Sequence, residues 1–155
     1  MNNLIREYTF KEFTISTDKT KLDLSVIHNF LCYESYWAKN ISLKIVERSI
    51  ENSLSFGVYH FDKQVGFARI ITDFAVFATV ADVFIIKEYR GLGLSKFLVK
   101  TFVNFPELQS LRRWTLYTLD AHKLYEQIGF RLLSNPEQAM EINKPGMYSY
   151  YKEVK

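Results

Sequence analysis

The feature that most restricts the fold lies in mid-chain, where VFATVADVFII (Val76 to Ile86) runs straight into KEYRGLGLSK (Lys87 to Lys96). The first stretch is apolar or small apart from Asp82, the pattern of a strand covered on both faces. The second places Gly91 and Gly93 one residue apart, and behind them Leu94, Phe97, Leu98, Thr101 and Phe102 recur at helical spacing until Pro106. A buried strand that turns through glycine into a helix belongs to the α/β class. It also gathers unpaired backbone N–H groups and the positive end of a helix dipole at one spot, which suits an anion, phosphate above all. Gly91 and Gly93 remove the Cβ atoms that would block close approach, and Arg90 adds a charge beside them. The glycines alone are equally well explained as a tight turn into a helix.

The flanking segments fit one domain. The alternation of TFKEFTIST (Thr9 to Thr17) predicts a first strand, followed by a charged turn. Leu24, Ile27, His28 and Leu31 mark one helical face, and Leu43, Val46 and Ile50 a second, with Ser42 suited to cap it. Between these helices YESYWAKN is aromatic and irregular. LSFGVYHF and QVGFARIIT read as antiparallel strands joined at Asp62 and Lys63. Downstream come a strand at RRWTLYT, a short helix at DAHKLYEQI capped by Asp120 and closed by Gly129, and a last strand at FRLL (Phe130 to Leu133). The expected architecture is a mixed α/β single domain over residues 1–155.

Composition narrows the function classes. Lys and Arg number 20 against 17 Asp and Glu, and the basic residues are scattered, so nucleic acid is not an indicated partner. Neither a leader pattern at MNNLIREYTF nor a run of about 18 apolar residues appears, so a cytoplasmic protein away from the membrane is expected. Cys32 has no cysteine or histidine at metal-ligand spacing, no metal site is predicted, and a core cysteine is the simple reading.

Three phosphate-binding patterns compete for the loop. GLGLSK lacks the spacing and the Gly-Lys-Ser/Thr ending of a P-loop. A dinucleotide fingerprint needs a third glycine where Lys96 stands. RGLGLS (Arg90 to Ser95), in contrast, resembles the Arg/Gln-x-x-Gly-x-Gly/Ala signature of the GNAT superfamily of N-acetyltransferases, with Ser95 in place of the usual last glycine or alanine. AHKLYEQIGF (Ala121 to Phe130) is similar to that superfamily's Ala-x-x-Leu-Tyr-x-x-x-Gly-Phe segment, in the right order and context.

The resemblance implies a mostly antiparallel central sheet flanked by helices and direct acetyl transfer from acetyl-coenzyme A to a primary amine of a small molecule or peptide. The alternative is a domain that binds acyl-coenzyme A without chemistry and serves regulation. By the same resemblance the cofactor is held along Phe84, Ile85, Ile86, Arg90, Gly91, Leu92, Gly93, Leu94 and Ser95, with an N–H near Ile85 facing the thioester carbonyl. Thr118 stands where many relatives carry a cofactor-contacting asparagine, and Tyr125 maps onto the usual proton donor to the thiolate. Asp82 is either a base for the amine or a structural acid; burial would suit the first role and a partner such as Arg69 or His122 the second. Tyr36, Trp37 and Glu34 fall in the linker that commonly forms the acceptor wall, and Asp73 in a loop able to meet substrate. A homodimer is the superfamily's habit, and the tail NKPGMYSYYKEVK is expected either to pair as an edge strand between subunits or to cover its own acceptor cleft.

Overall fold

The computed structural model describes residues 4–150, the side chains of Ser149 and Tyr150 excepted. Six strands form one sheet in chain order: β1 (Glu7–Phe10), β2 (Phe13–Ser16), β3 (Leu54–His60), β4 (Lys63–Thr72), β5 (Phe77–Ile85) and β6 (Arg113–Leu116). Neighbours are antiparallel except β5 and β6, which run parallel because α3 (Leu94–Val103) returns the chain between them. Helices α1 (Leu24–Asn29) and α2 (Leu43–Glu51) precede β3, and α4 (His122–Glu126) follows β6.

The sheet separates two cores. On one face Leu98, Phe102 and Phe105 of the α3 segment pack on Phe56, Ile70 and Val80. On the other, Ile27, Leu31 and Val46 pack on Phe67 and Phe84, and Cys32 is buried among them. Phe84 and Ile85 fall to opposite cores, as the period of a strand requires.

Helix starts follow the expected chemistry where a short polar residue stands ready. Asp23 accepts from the N–H groups of Ser25 and Val26 to cap α1, and Ser42 accepts from Ile45 to cap α2. At α4 the expected cap fails: Ala121 occupies the N-cap position, and Thr118 Oγ1 accepts its N–H at 3.0 Å, so Asp120 is left outside the helix. The end of α4 does close on Gly129, whose φ of 101° allows Phe130 N–H to reach Tyr125 O and its own N–H to reach Glu126 O.

Three expected strands differ. Thr9 to Thr17 is a hairpin of two strands, with Lys11 at φ 54° in the reversal. Alternation continues through so short a turn, and Lys11-Glu12 carries no glycine or asparagine to mark it. β5 is covered on both faces only in part, since Ala81, Asp82 and Val83 are half-buried. FRLL forms no strand: a trough of about 500 Å³ separates it from Arg113–Thr115, and without a ladder partner Leu132 stays 77% exposed.

The tail is a loop followed by a helical turn over Met147–Tyr150, with Tyr148 packed against the α1–α2 core; residues 151–155 lie outside the described residues. No described helix is long and apolar enough to cross a membrane.

Candidate active site

β5 and β6 pair from Phe77 and Arg113 to Val80 and Leu116, and then part. The cause lies in β5. Between the pairs Arg69–Ala81 and Phe67–Phe84, two residues of β5, Asp82 and Val83, face one residue of β4. This is a bulge, and Asp82 holds it at φ 53°, a conformation that aspartate accepts more readily than most residues. A bulge bends and twists its strand, so β5 swings from β6 and opens a cleft of about 540 Å³. Ala81 and Asp82 form one wall and Tyr117 to Leu119 the other; Tyr125 lines the cleft from α4 and Tyr36 and Trp37 from the helix linker.

Beyond the bulge the strand turns polar backbone toward the opening. Ile86 N–H donates to Val65 O at 2.9 Å, and ladder alternation therefore turns the N–H and C=O of Ile85 away from β4. Arg90 Nε takes that carbonyl at 2.9 Å, which ties the glycine loop to the strand and leaves the Ile85 N–H facing the cleft side. Phe84 contributes only backbone here, since its ring stacks on Phe30 with centroids 3.9 Å apart.

The loop itself is a backbone cradle. Gly91 and Gly93 sit at φ 78° and 82°, and Gly93 caps α3 without any side-chain acceptor. The first intrahelical bond runs from Phe97 N–H to Gly93 O, so the N–H groups of Leu94, Ser95 and Lys96 have no acceptor in the helix. A Cβ added at Gly91 would meet no atom within 4 Å, so the space beside the loop is open to a ligand. Leu94 points into the core and Leu92 outward, and Ser95 is half-buried at the cradle's edge. A phosphate group fits these donors.

The sequence-predicted side chains meet the cleft unequally. Tyr125 is buried against Phe130, and burial, followed by the influence of Tyr36, pushes its phenol up to about 12. Asp82 is fully engaged: Arg69 Nε donates to Oδ2 at 2.8 Å and Trp37 Nε1 donates to Oδ1 at 2.9 Å. Both oxygens are thus in hydrogen bonds, the arrangement of a paired acid. Tyr36 packs edge-to-face on Trp37 with ring centroids 5.0 Å apart, and its hydroxyl accepts Leu119 N–H at 2.8 Å.

The remaining candidates are placed elsewhere or occupied. Thr118 lines the cleft, but its hydroxyl is engaged with Ala121 N–H. Asp73 sits at the end of β5 away from the glycine loop, where it accepts N–H groups of Val76, Ala75 and Phe77. Those bonds, Val76 first, hold its carboxyl below the usual range, and the short polar turn between β4 and β5 uses it as an organiser rather than presenting it to the cleft. Glu34 is exposed at the end of a π-helical turn over Phe30–Glu34, outside the cleft lining. His122 lies in an adjoining recess of about 320 Å³ that shares Thr118 and Tyr125.

Tyr117, Leu119 and Asp120 also line the cleft, although sequence reasoning passed over the first two and took the third for a cap. Their signal was only their place, directly after the strand that parallels β5. Asp82 carried a stronger one: an aspartate inside an apolar strand is a bulge former as well as a buried charge.

A family model described as an acetyltransferase (GNAT) domain matches residues 51–132. A crystal structure from Xanthomonas campestris, assigned to the GNAT family, superposes with a TM-score of 0.87 at 45% identity, over 88% of this chain and 96% of that one. A protein of Gibberella zeae named as an acetyltransferase is 24% identical over 143 residues, 77% of this chain and 79% of its own. A GNAT-family acetyltransferase of Elizabethkingia anophelis, solved with acetyl-CoA bound, shares the fold with a TM-score of 0.60 at 13% identity, over 88% and 92% of the two chains.

Proposed function

The chain belongs to the GNAT family of acetyltransferases, and from that premise we propose that it transfers acetyl from acetyl-coenzyme A directly to a primary amine. The observation that carries the proposal is an arrangement along one strand. The Asp82 bulge opens a cleft lined by Tyr125 and the aromatic linker, and the same strand runs on through Ile85 to the glycine cradle at Arg90–Ser95. The acetyl-CoA bound to the Elizabethkingia relative supports the same ligand for this fold.

Acetyl-coenzyme A, when bound, supplies a thioester carbonyl carbon open to attack and a thiol leaving group. The protein's own groups divide the rest. N–H groups of Leu94, Ser95 and Lys96 and the dipole of α3 hold phosphate. The Ile85 N–H donates to the carbonyl oxygen as charge gathers there. A C–N bond forms to the neutral amine as the C–S bond breaks. The Tyr125 hydroxyl gives its proton to the departing sulfur and is refilled from water, while the amine passes one proton to water, so protons balance. A phenol pushed up to about 12 keeps that proton at ordinary pH. With both oxygens engaged, Asp82 acts as a positioning residue that fixes Trp37 and the bulge, rather than as the base.

Calorimetric titration of acetyl-coenzyme A into the purified protein tests this, with coenzyme A and NADH as controls. Micromolar binding, followed by thiol release on adding amines, is expected; a folded protein that binds none of them would overturn the reading. Binding without thiol release from any amine would leave the acyl-coenzyme A regulatory alternative.

A further inference from the structure

We infer that the acceptor is an ammonium on a flat apolar stem without a carboxylate, an arylalkylamine rather than an amino acid or an aminosugar. The inference rests on the acetyl-transfer reading above and deepens it. It comes from the chemistry of the cleft lining, where four rings, those of Tyr36, Trp37, Tyr117 and Tyr125, meet two carboxylates, Asp82 and Asp120.

The rings are preorganised. Tyr36 and Trp37 stand nearly perpendicular at 82°, and each is pinned by a polar bond, Tyr36 to Leu119 N–H and Trp37 to Asp82. Tyr117 is 83% exposed and Leu119 71% exposed at the mouth. An apolar stem laid there covers surface that otherwise faces water, which is favourable in proportion to its area. An ammonium gains further from aromatic faces.

The charges point the same way. Asp82 is neutralised by Arg69, whereas Asp120 pairs with no cation among the described residues. Among the described residues, no lysine, arginine or histidine lines the cleft. An acceptor carboxylate would therefore lose water beside Asp120 with nothing to replace it, because Arg69 is committed to Asp82 and stands outside the lining. Acceptors rich in hydroxyl groups find few polar side chains beyond Asp120 and the tyrosine hydroxyls, since each of the two threonines present already makes one hydrogen bond, Thr79 with Thr115 at 2.9 Å and Thr118 with Ala121 N–H. Overall the reaction converts the ammonium and the acetyl thioester into an amide and a thiol, with one proton released to water.

Matched pairs isolate the carboxylate: tyramine against tyrosine and phenethylamine against phenylalanine, each followed as kcat/KM by thiol release. The same preparation is titrated with acetyl-coenzyme A, and tyramine binding to the coenzyme A-saturated protein is measured by calorimetry as a readout that needs no turnover. We expect each amine to exceed its amino acid by at least about a hundredfold, since an unpaired carboxylate beside a like charge costs several kcal/mol. Asp120→Lys should narrow that ratio at least about tenfold through the reversed rim charge. Ratios near one or inverted, an unchanged ratio in Asp120→Lys, or turnover confined to aminosugars, spermidine or peptide N-termini would each overturn the acceptor assignment while leaving acetyl transfer standing. Failure of acetyl-coenzyme A to bind would instead remove both.

Discussion

The glycine cradle and the aromatic wall both adjoin β5 but are made of different materials. The cradle is backbone, contributed by the contiguous run from Ile85 to Lys96. The wall is side chains that meet across the chain, with Trp37 on Asp82 over a separation of 45 residues and Tyr36 on Leu119 over 83. Backbone donors are the same whatever the side chains, so the cradle can keep one ligand through wide sequence change, while each altered ring redraws the wall. The family match crosses this division: residues 51–132 include the cradle, Tyr125 and the Asp82 and Leu119 halves of the wall but leave out Tyr36 and Trp37. The fold belongs to the family; on the proposed reading the phosphate grip goes with it, and acceptor choice rests with the wall.

The sharpest break in that comparison is Gly93→Glu. Bulk and negative charge would enter the cradle, and the left-handed φ of 82° adds strain of about 1 kcal/mol, too little to unfold a domain of this size. We expect acetyl-coenzyme A affinity to fall at least about a hundredfold by calorimetry, with an unchanged circular dichroism spectrum, because a carboxylate would face the phosphate it displaces. Equal affinity would mean that the cradle is only a turn.

Next in size is Tyr125→Phe, which removes the proposed proton donor and leaves the ring packed on Phe130. A kcat about a hundredfold lower at unchanged acetyl-coenzyme A affinity is expected. The pH profile sharpens this further. Burial disfavours the phenolate, so the acid form of Tyr125 outlasts an ordinary tyrosine, and wild-type kcat should show no descending limb below about pH 10.5, where an unperturbed phenol would already be losing its proton. A fall beginning near pH 9 would mean that the essential acid is an ordinary phenol or another group, not a Tyr125 shifted by burial.

Why the cradle was legible in the residues themselves and the wall only through the resemblance follows from the same difference. Gly91, Gly93 and the apolar strand before them lie side by side in the chain, and each has a local reason to be there. Tyr36 and Trp37 could be read as aromatic and irregular, but their bonds to Leu119 and Asp82 exist only after folding. Asp82 shows the boundary. Its oddity in an apolar strand was visible; that both its oxygens are taken depends on Arg69 in the next strand and Trp37 in another layer. FRLL marks the opposite error, in which local β-propensity was read as a strand although no partner reaches it.

Asp82→Asn probes the joint between the two materials. Asparagine can still accept from Trp37 and tolerate φ 53°, but it leaves the Arg69 guanidinium without a counter-charge at a site where both side chains are largely buried. Stability should fall by about 2 kcal/mol in urea unfolding, within the range for a hydrogen bond to a charged group. If Asp82 positions rather than accepts a proton, kcat should keep the same pH profile as the wild type. A lost or displaced ascending limb would instead make it the base.

The smallest change tests whether wall and cradle are mechanically joined. Tyr36→Phe keeps the ring against Trp37 but removes the oxygen that accepts Leu119 N–H, a bond between the linker and the strand-end wall of the cleft. Leu119 is exposed, so water can replace the lost acceptor, and stability should change by less than about 1 kcal/mol. Freed from its tether, the ring is less well ordered for an acceptor, and the amine KM should rise about threefold, the price of one loosened side chain. On the proposed reading acetyl-coenzyme A is held by backbone that Tyr36 does not touch, so its affinity should stay the same. Were both to weaken together, the linker would be part of the cofactor site as well, and the division between a backbone half and a side-chain half would have to be redrawn through Leu119.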